Sequence, residues 1–171
     1  MIEFKPVTIE NFLDIIDLKV EKTQEEYVYG NLFLLAQSKV QQECIPLAIY
    51  SNDLLVGFLM YGIDRGDNNY WIYHLMIDKK HQGKGYGQEA LEKIITMIKE
   101  QIKENNKTNK ILLMVNKEDK NAIKIYEKNG FVFNGKKFGE ASDAIVLYKE
   151  HYSRLAAQGI KVKEYIMELI Y

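Results

Sequence analysis

The 171-residue sequence predicts an α/β protein with one central mixed β-sheet of about seven strands, flanked by helices. Strand and helix patterns follow one another in the order β-α-α-β-β-β-α-β-α-β-α-β. A strand–helix–strand unit across residues 70–116 requires a parallel pair of strands with a right-handed crossover. The hairpin before that unit requires antiparallel neighbours. The sheet must therefore contain both kinds of pairing.

The first part of the chain predicts one strand followed by two helices. Residues 2–7 alternate weakly and are interpreted as the first strand. Thr8 is a suitable N-cap for a helix over residues 9–20. A second helix is expected over residues 23–42, where Gly30 weakens the middle.

A hairpin and a buried strand are predicted next. Residues 47–51 and 54–63 are apolar and flank Asn52 and Asp53, a pair typical of a tight turn. Residues 70–78 are nearly all apolar or aromatic, which is typical of a strand covered on both faces.

The second half of the chain alternates helices and strands. The amphipathic stretch that follows residue 86 places its apolar side chains on one helical face. Asn121 is expected to cap the later short helix, and Gly130 to end it. The remaining elements are strands over 110–115, 131–138 and 163–171, helices over 122–129 and about 142–158, and a turn inside the strand over 131–138.

Composition indicates a single domain, residues 1–171, that is not specialised for a polyanionic partner. The 23 basic and 24 acidic residues nearly cancel, so neither nucleic acid nor a membrane surface is expected as a partner. Cys44 is the only cysteine, which argues against a disulfide framework and a cysteine metal cluster, and no metal is expected. The absence of a leader pattern or a long apolar stretch predicts a cytoplasmic protein.

The most informative stretch is the glycine-rich loop at residues 82–87, which precedes an amphipathic helix. Helix N-termini leave backbone N–H groups unpaired and carry a partial positive charge, so they bind anions. Glycines let the main chain approach such an anion closely. The loop therefore predicts a phosphate-bearing ligand, with a plain surface turn as the alternative.

Three phosphate motifs compete for this loop. The P-loop string G-x-x-x-x-G-K-[ST] does not occur in the chain. The dinucleotide fingerprint is formally met by Gly85, Gly87 and Ala90, but the next strand ends near Asn116 without the acidic residue that would bind a ribose. The pattern [QR]-x-x-G-x-[GA] is met by Gln82, Gly85 and Gly87.

This third pattern, in its context, resembles the GNAT superfamily of N-acetyltransferases. Residues 75–91 resemble the strand, loop and helix of that family's core. Residues 115–131 resemble its second half, with Asn121 and Tyr126 standing for the family's asparagine and tyrosine and a Gly-Phe pair closing the motif. Residues 18–28 together with 76–87 are similar to the bacterial diamine and spermine/spermidine acetyltransferase branch.

The resemblance implies acetyl-CoA as co-substrate, with its pyrophosphate on the backbone amides of the loop. The main chain of Met76 and Ile77 would pair with the pantetheine arm, as a strand edge would. The full set of residues that it implies for cofactor binding is Met76, Ile77, Gln82, Gly83, Lys84, Gly85, Tyr86, Gly87, Asn116, Asn121, Tyr126 and Lys128.

The resemblance also implies catalytic roles. Tyr126 would be the acid near the sulfur, since a phenol with a pKa near ~10 stays protonated at neutral pH. Tyr73 and His74 stand on the strand before the loop, where related enzymes often carry an acidic residue. His74 is a candidate to accept the proton of the amine directly or through water, and Tyr73 to hold the substrate or a water. A hydrogen-bonded core histidine is the alternative for His74, with solvent taking the proton.

The segment between the first two strands would form a wall of the acceptor site in this family. Glu21, Glu25 and Glu26, with Tyr27 and Tyr29, could receive a cationic amine through carboxylate pairing and aromatic contact, and a solvated helix face is the alternative. The resemblance to the diamine and spermine/spermidine branch implies a small polyamine-like amine as the partner. A drug amine, an amino acid, a protein amine and a non-catalytic acyl-CoA sensor stay open, as does a homodimer.

Overall fold

The structure, a computed structural model, describes residues 1–105, 108–137 and 164–170. These residues form a seven-stranded sheet in the order β1-β2-β3-β4-β5-β7-β6. The expected mixed sheet flanked by helices is confirmed. The strands are β1 (Ile2–Pro6), β2 (Ile45–Ser51), β3 (Leu54–Ile63), β4 (Tyr70–Ile77), β5 (Lys110–Asn116), β6 (Val132–Lys137) and β7 (Glu164–Ile170).

The helices pack on both faces of this sheet. One face is buried by α3 and α4, whose apolar side chains join a cluster that includes Leu91, Ile94 and Ile123. The other face is buried by α1 and α2, with Ile15 and Leu34 in the second cluster. The helices are α1 (Phe12–Asp17), α2 (Asn31–Val40), α3 (Tyr86–Asn105) and α4 (Lys120–Lys128), with 3₁₀ helices at Lys22–Tyr27 and Lys79–His81.

The two predicted tight turns of the main chain are confirmed. Asn52 and Asp53 have φ angles of 49° and 63°, as the two-residue loop between β2 and β3 requires. Gly130, at the end of α4, has a φ of 86°, the left-handed conformation that commonly ends a helix.

The parallel pair of strands is also confirmed, but it is short. Residues 70–72 of β4 pair with residues 111–113 of β5. Beyond that point, among the residues that the structure describes, β4 pairs only with β3, as far as Ile77, and β5 pairs only with β7, as far as Asn116. The carboxyl halves of two adjacent strands thus diverge and leave a wedge in the middle of the sheet.

The first predicted helix was too long. Helix α1 ends at Asp17, because Leu18 has φ −58° and ψ 136° and leaves the helical region. The next residue, Lys19, bonds instead to the residues after β4. Its main-chain N–H donates to the Asp78 carboxylate, and its C=O accepts from the amide of Lys79. The N-cap is Asn11 rather than Thr8, and no side-chain cap hydrogen bond forms there.

The second predicted helix, residues 23–42, is two helices. The 3₁₀ helix Lys22–Tyr27 is followed by extended backbone at Val28, with φ −132° and ψ 144°. Gly30, with ψ 140°, is the N-cap of α2. The glycine that was expected to weaken the helix therefore lies at a complete break in it.

The cap of α4 was assigned to the wrong residue. Asp119 is the N-cap, and its Oδ1 accepts a hydrogen bond of 3.0 Å from the amide of Ala122. Asn121 lies inside the first turn. The predicted helix over about 142–158 lies outside the described residues. Over the described part of the chain, no helix combines the length and apolar character needed to cross a membrane.

Candidate active site

The wedge between β4 and β5 opens into a cavity of about 410 Å³, here called the wedge cavity. Its walls are the diverging strand ends, and the first turns of α3 and α4 lie against it. Because the strands stop pairing there, main-chain groups at their edges are open to a ligand. The strand residues that line the cavity are Leu75, Met76, Ile77, Met114, Val115 and Asn116.

The glycine loop, residues 82–87, forms the end of this cavity. Gly83 and Gly85 have φ angles of 75° and 83°, which glycine adopts without strain. A Cβ atom added at either position would meet nothing within 4 Å, so the space beside the loop is open. The first hydrogen bond of α3 joins Glu89 N to Gly85 O at 3.1 Å. The amides before Glu89 therefore face the helix end, where an anion is stabilised.

The predicted loop residues are divided between the cavity and the solvent. Gln82, Gly83, Gly85, Tyr86 and Gly87 line the wedge cavity. Lys84, between the two glycines with positive φ, is exposed and does not line it.

Tyr126 lies on α4 and lines the same cavity. Its ring is half-buried and packs against Phe131, with 6.0 Å between the ring centroids. Burial raises the pKa of the Tyr126 phenol, and the nearby carboxylate of Asp119 raises it further. The hydroxyl therefore carries its proton at neutral pH and can donate a hydrogen bond into the cavity.

Two asparagines line the wedge cavity on its β5 and α4 side. Asn116 is buried, and its Oδ1 accepts a hydrogen bond of 2.9 Å from the amide of Glu118, which shapes the turn after β5. Asn121 is exposed in the first turn of α4. Lys128, at the other end of that helix, is exposed and does not line the cavity.

Tyr73 and His74 lie on β4, deeper in the sheet than the cavity lining. A bulge opposite Met60 turns both side chains toward the face that α1 and α2 cover. Burial lowers the pKa of His74 to about 3, so its imidazole is neutral. Among the described residues, no group hydrogen-bonds its Nε2. The Tyr73 hydroxyl donates to Asp64, and neither side chain lines the wedge cavity.

A second cavity, of about 420 Å³, lies between α1, the 3₁₀ helix and the start of α2. It shares Val20, Val28 and Met76 with the wedge cavity, so the two adjoin at that point. Asp17, Glu25 and Tyr29 line it, and we call it the acidic cavity.

The segment that borders the acidic cavity carries an excess of negative charge. Residues 17–26, here called the acidic wall, contain four carboxylates and two lysines. Glu21 and Glu26 belong to this wall and are exposed, but they do not line either cavity. A cation approaching Met76 from this side would therefore meet a negative potential.

Residues 12–131 of the chain match the acetyltransferase (GNAT) family. The chain belongs to this family. The predicted enzyme class, a GNAT N-acetyltransferase, is thereby confirmed. The mixed seven-stranded sheet flanked by helices is the family's fold in this chain.

Relatives of this acetyltransferase include polyamine enzymes. The spermine/spermidine N(1)-acetyltransferase of Bacillus subtilis strain 168 is 32% identical over 140 residues, which cover 78% of this chain and 90% of the relative. A probable spermine N(1)-acetyltransferase of Bacillus subtilis subsp. natto is 33% identical over the same length and the same shares.

Solved structures share the fold at low identity. The spermidine N-acetyltransferase from Vibrio cholerae, in complex with CoA and spermine, superposes with a TM-score of 0.67 at 16% identity, covering 99% of this chain and 95% of that one. The PaiA N-acetyltransferase from Thermoplasma acidophilum, in complex with coenzyme A, gives 0.63 at 17% identity, covering 100% and 99%.

Sequence reasoning missed two residues of this GNAT site. Asp17 lines the acidic cavity, and Gln24 lines the wedge cavity. Tyr27, which was expected beside Tyr29 at the acceptor site, lines the wedge cavity. A usable signal existed for Gln24, since Glu21 and Gln24 have the three-residue spacing of a capping box, and the structure contains that box. No local signal places Asp17, because α1 ends there for tertiary reasons.

Proposed function

We propose that this enzyme transfers the acetyl group of acetyl-CoA to a primary amine of a small polyamine-like acceptor. The observation that carries the proposal is a pair of adjoining cavities, the second of which is lined by two carboxylates and one lysine, Lys19. One ends in a glycine loop at a helix N-terminus, which suits phosphates. The other is lined by Asp17 and Glu25, which suit ammonium groups. The names of the Bacillus relatives support the same acceptor class.

The described residues fit acetyl-CoA as co-substrate. The open space beside Gly83 and Gly85 and the helix N-terminus behind them suit a pyrophosphate. Met76 and Ile77, at the unpaired edge of β4, would hold the pantetheine amides through their main chain. Asn116 and Asn121 would bind the same arm from the opposite wall. Lys84 and Tyr86, within the loop, and Lys128, at the far end of α4, would contact the phosphates.

Tyr126 would assist the departure of the CoA sulfur. The amine nitrogen attacks the thioester carbonyl carbon, the new C–N bond forms, and the C–S bond breaks. The thiolate accepts a hydrogen bond or a proton from the Tyr126 hydroxyl, whose raised pKa keeps it protonated at neutral pH. This role depends on the Tyr126 hydroxyl, whereas the ring contributes packing.

The proton released by the amine needs an acceptor. We propose His74, acting through water, with Tyr73 beside it, because its Nε2 has no partner among the described residues. Since burial lowers the pKa of His74, the imidazole would pass the proton on to water and not retain it. Since neither side chain lines the wedge cavity, the alternative is direct loss of the proton to solvent. The His74 variant described in the Discussion separates these routes.

The acidic wall would hold the distal ammonium groups of the acceptor. Glu25 and Tyr29 line the cavity that adjoins Met76, and Asp17 extends the same set. Glu21 and Glu26 lie on the wall outside the lining and would add long-range attraction. A cation placed between carboxylates and an aromatic ring gains from both contacts.

A thiol-release assay with a panel of amines tests the proposal. Spermidine, spermine and putrescine should be acetylated with kcat/KM values at least about tenfold above those of a free amino acid, an aminoglycoside and a peptide with a free N-terminus. A higher value for the peptide or the aminoglycoside would overturn the acceptor class. Thermal shift with acetyl-CoA, ATP and NAD checks the co-substrate, since only a ligand that binds the native state raises the midpoint.

A further inference from the structure

Two side-chain amides connect the acidic wall to the glycine loop. Gln82 Nε2 donates hydrogen bonds to Gln24 Oε1 at 2.8 Å and to the main-chain oxygen of Ile77 at 3.0 Å. Gln24 Oε1 also accepts from the main-chain amide of Glu21 at 3.1 Å. The result is a continuous relay from the N–H of Glu21 to the C=O of Ile77.

The direction of this relay is fixed by its two ends. A main-chain amide can only donate, so Gln24 must present its oxygen to Glu21. A main-chain carbonyl can only accept, so Gln82 must present its NH₂ group to Ile77. The remaining hydrogen of that NH₂ group then meets the remaining lone pair of Gln24. The contact between the two glutamines is therefore complementary and spans 58 positions of sequence.

The relay joins the parts of the site that belong to different substrates. At one end, Gln82 immediately precedes Gly83, and Ile77 is the last residue of β4 at the wedge. At the other end, Gln24 lies in the 3₁₀ helix next to Glu25, which lines the acidic cavity. Gln24 itself lines the wedge cavity, so two adjacent residues of the 3₁₀ helix line the two cavities.

A second connection anchors only the start of the acidic wall. Buried Asp78 accepts a hydrogen bond of 2.9 Å from Lys19 N, and Lys79 N donates to Lys19 O at 2.7 Å. Between Lys19 and Gly30, the Gln24 contact is a further side-chain connection from the 3₁₀ helix to the loop. The wall is thus attached near its start to the residues just after β4, and at Gln24 to the glycine loop.

We propose that Gln24 is a positioning residue that couples acetyl-CoA binding to acceptor binding. The inference rests on the proposed function and adds a regulation of the same site. Ordering the glycine loop around a pyrophosphate fixes Gln82, and Gln82 through Gln24 fixes the acidic wall in its amine-binding position. By linkage, CoA and the amine then raise each other's affinity by the same factor.

Calorimetry with CoA and spermidine, a pair that cannot react, measures this factor. In the natural protein, saturating CoA should lower the Kd of spermidine by about fivefold or more. Gln24→Met keeps the length of the side chain but lacks the oxygen, and should reduce the factor to within about twofold of one. Gln24→Glu still accepts both bonds and should restore the factor, although its charge weakens CoA binding. Gln42→Met, an exposed glutamine outside both cavities, is the matched control.

Amide hydrogen exchange gives a readout that does not need the amine. CoA should slow exchange in residues 21–28 of the natural protein and of Gln24→Glu, but not of Gln24→Met. If spermidine does not bind while this protection appears, the acceptor class is wrong and the coupling stands. If both ligands bind and Gln24→Met keeps the full factor and the protection, the coupling is wrong. If CoA protects neither the glycine loop nor residues 21–28, both proposals fail.

Discussion

The Tyr73 hydroxyl donates a hydrogen bond to Oδ2 of Asp64, 3.2 Å away, and both side chains are buried. The other oxygen, Oδ1, accepts from the amide of Gly66 at 2.8 Å. Burial nevertheless raises the pKa of Asp64 to about 6, because these bonds only partly replace the lost water. This buried acid therefore titrates within the range in which the enzyme can be assayed.

Asp64→Asn should remove a pH dependence of stability. Between pH 3.8, the ordinary pKa, and about 6, folded Asp64 holds a proton that the unfolded chain has lost. The wild-type free energy of unfolding therefore falls as pH rises through that window, by on the order of 2–3 kcal/mol. The asparagine keeps an acceptor for Gly66 and a bond to Tyr73. Urea denaturation measures the free energy of unfolding at pH 4.5 and 7.5. The value for the variant minus that for the wild type should be larger at pH 7.5.

The matched control for this measurement is Asp14→Asn, which alters an exposed carboxylate on α1. It should follow the wild-type curve at both pH values. A gain at pH 7.5 in the control as large as that of Asp64→Asn would show that general charge reduction, and not the buried site, causes the effect.

His74→Phe should have the opposite sign in its pH dependence. Burial lowers the pKa of His74 to about 3, against 6.5 for an exposed histidine, so the unfolded chain takes up the proton first. The natural protein is therefore destabilised as pH falls from 6.5 toward 3, by on the order of 2 kcal/mol or more from this residue alone. Urea denaturation at pH 7.5 and 4.5 should show that the free energy of unfolding falls less in the variant than in the natural protein.

The same variant tests the proton acceptor. If His74 accepts the proton of the amine, kcat for spermidine falls by about 100-fold across the pH range. If solvent takes it, kcat is nearly unchanged. Met60→Leu, the cross-strand neighbour of His74, alters the packing of the same face without removing a titrating group and serves as the control.

Tyr126→Phe should lower kcat by about 100-fold while leaving the Kd of acetyl-CoA within about twofold, because the hydroxyl acts on the leaving sulfur and the ring keeps its packing. A thiol-release assay measures kcat, and calorimetry measures the Kd of acetyl-CoA. Tyr50→Phe, on β2 outside both cavities, should change neither. Unchanged turnover in Tyr126→Phe would remove this residue from the acid role.

Gly85→Ala should weaken acetyl-CoA binding by roughly tenfold, since a Cβ at a φ of 83° costs about 1 kcal/mol and stands beside the anion site. Gly135→Ala is the matched control, because Gly135 has a φ of 82°, equally open surroundings and a place on β6 outside both cavities. Both variants should lose similar stability. Equal loss of acetyl-CoA affinity in both would show that the loop has no special role.

The sequence predicted most of the sheet because strand signals in this chain are strong and local. The apolar stretch of β4 and the Asn52 and Asp53 turn need only short-range information. The failures fall where tertiary contacts overrule local preference. Helix α1 stops at Asp17 because Lys19 is bound by Asp78. The long second helix breaks at Val28. There the backbone is extended, and the Val28 side chain packs against the core cluster under α1 and α2.

The residues of the candidate site also divide into those that local sequence predicts and those that tertiary contacts position. The glycine loop and Tyr126 were predictable, because a helix N-terminus after a strand is a local feature and the family pattern is contiguous. The acidic cavity was only half predictable: Glu25 and Tyr29 were identified, whereas Asp17 depends on where α1 ends. The positions of Tyr73 and His74 depend on a bulge that no local pattern indicates.

The sequence by itself determined the family, the order of the strands and helices, and the loop that suits a phosphate. Only the tertiary structure decided how far β4 and β5 stay paired, and therefore where the wedge opens. It also brought Gln24 within hydrogen-bonding distance of Gln82. The physical reason is that periodicity and turn chemistry act over a few residues, whereas a contact between residues 58 positions apart forms only once the sheet has set the distance between them.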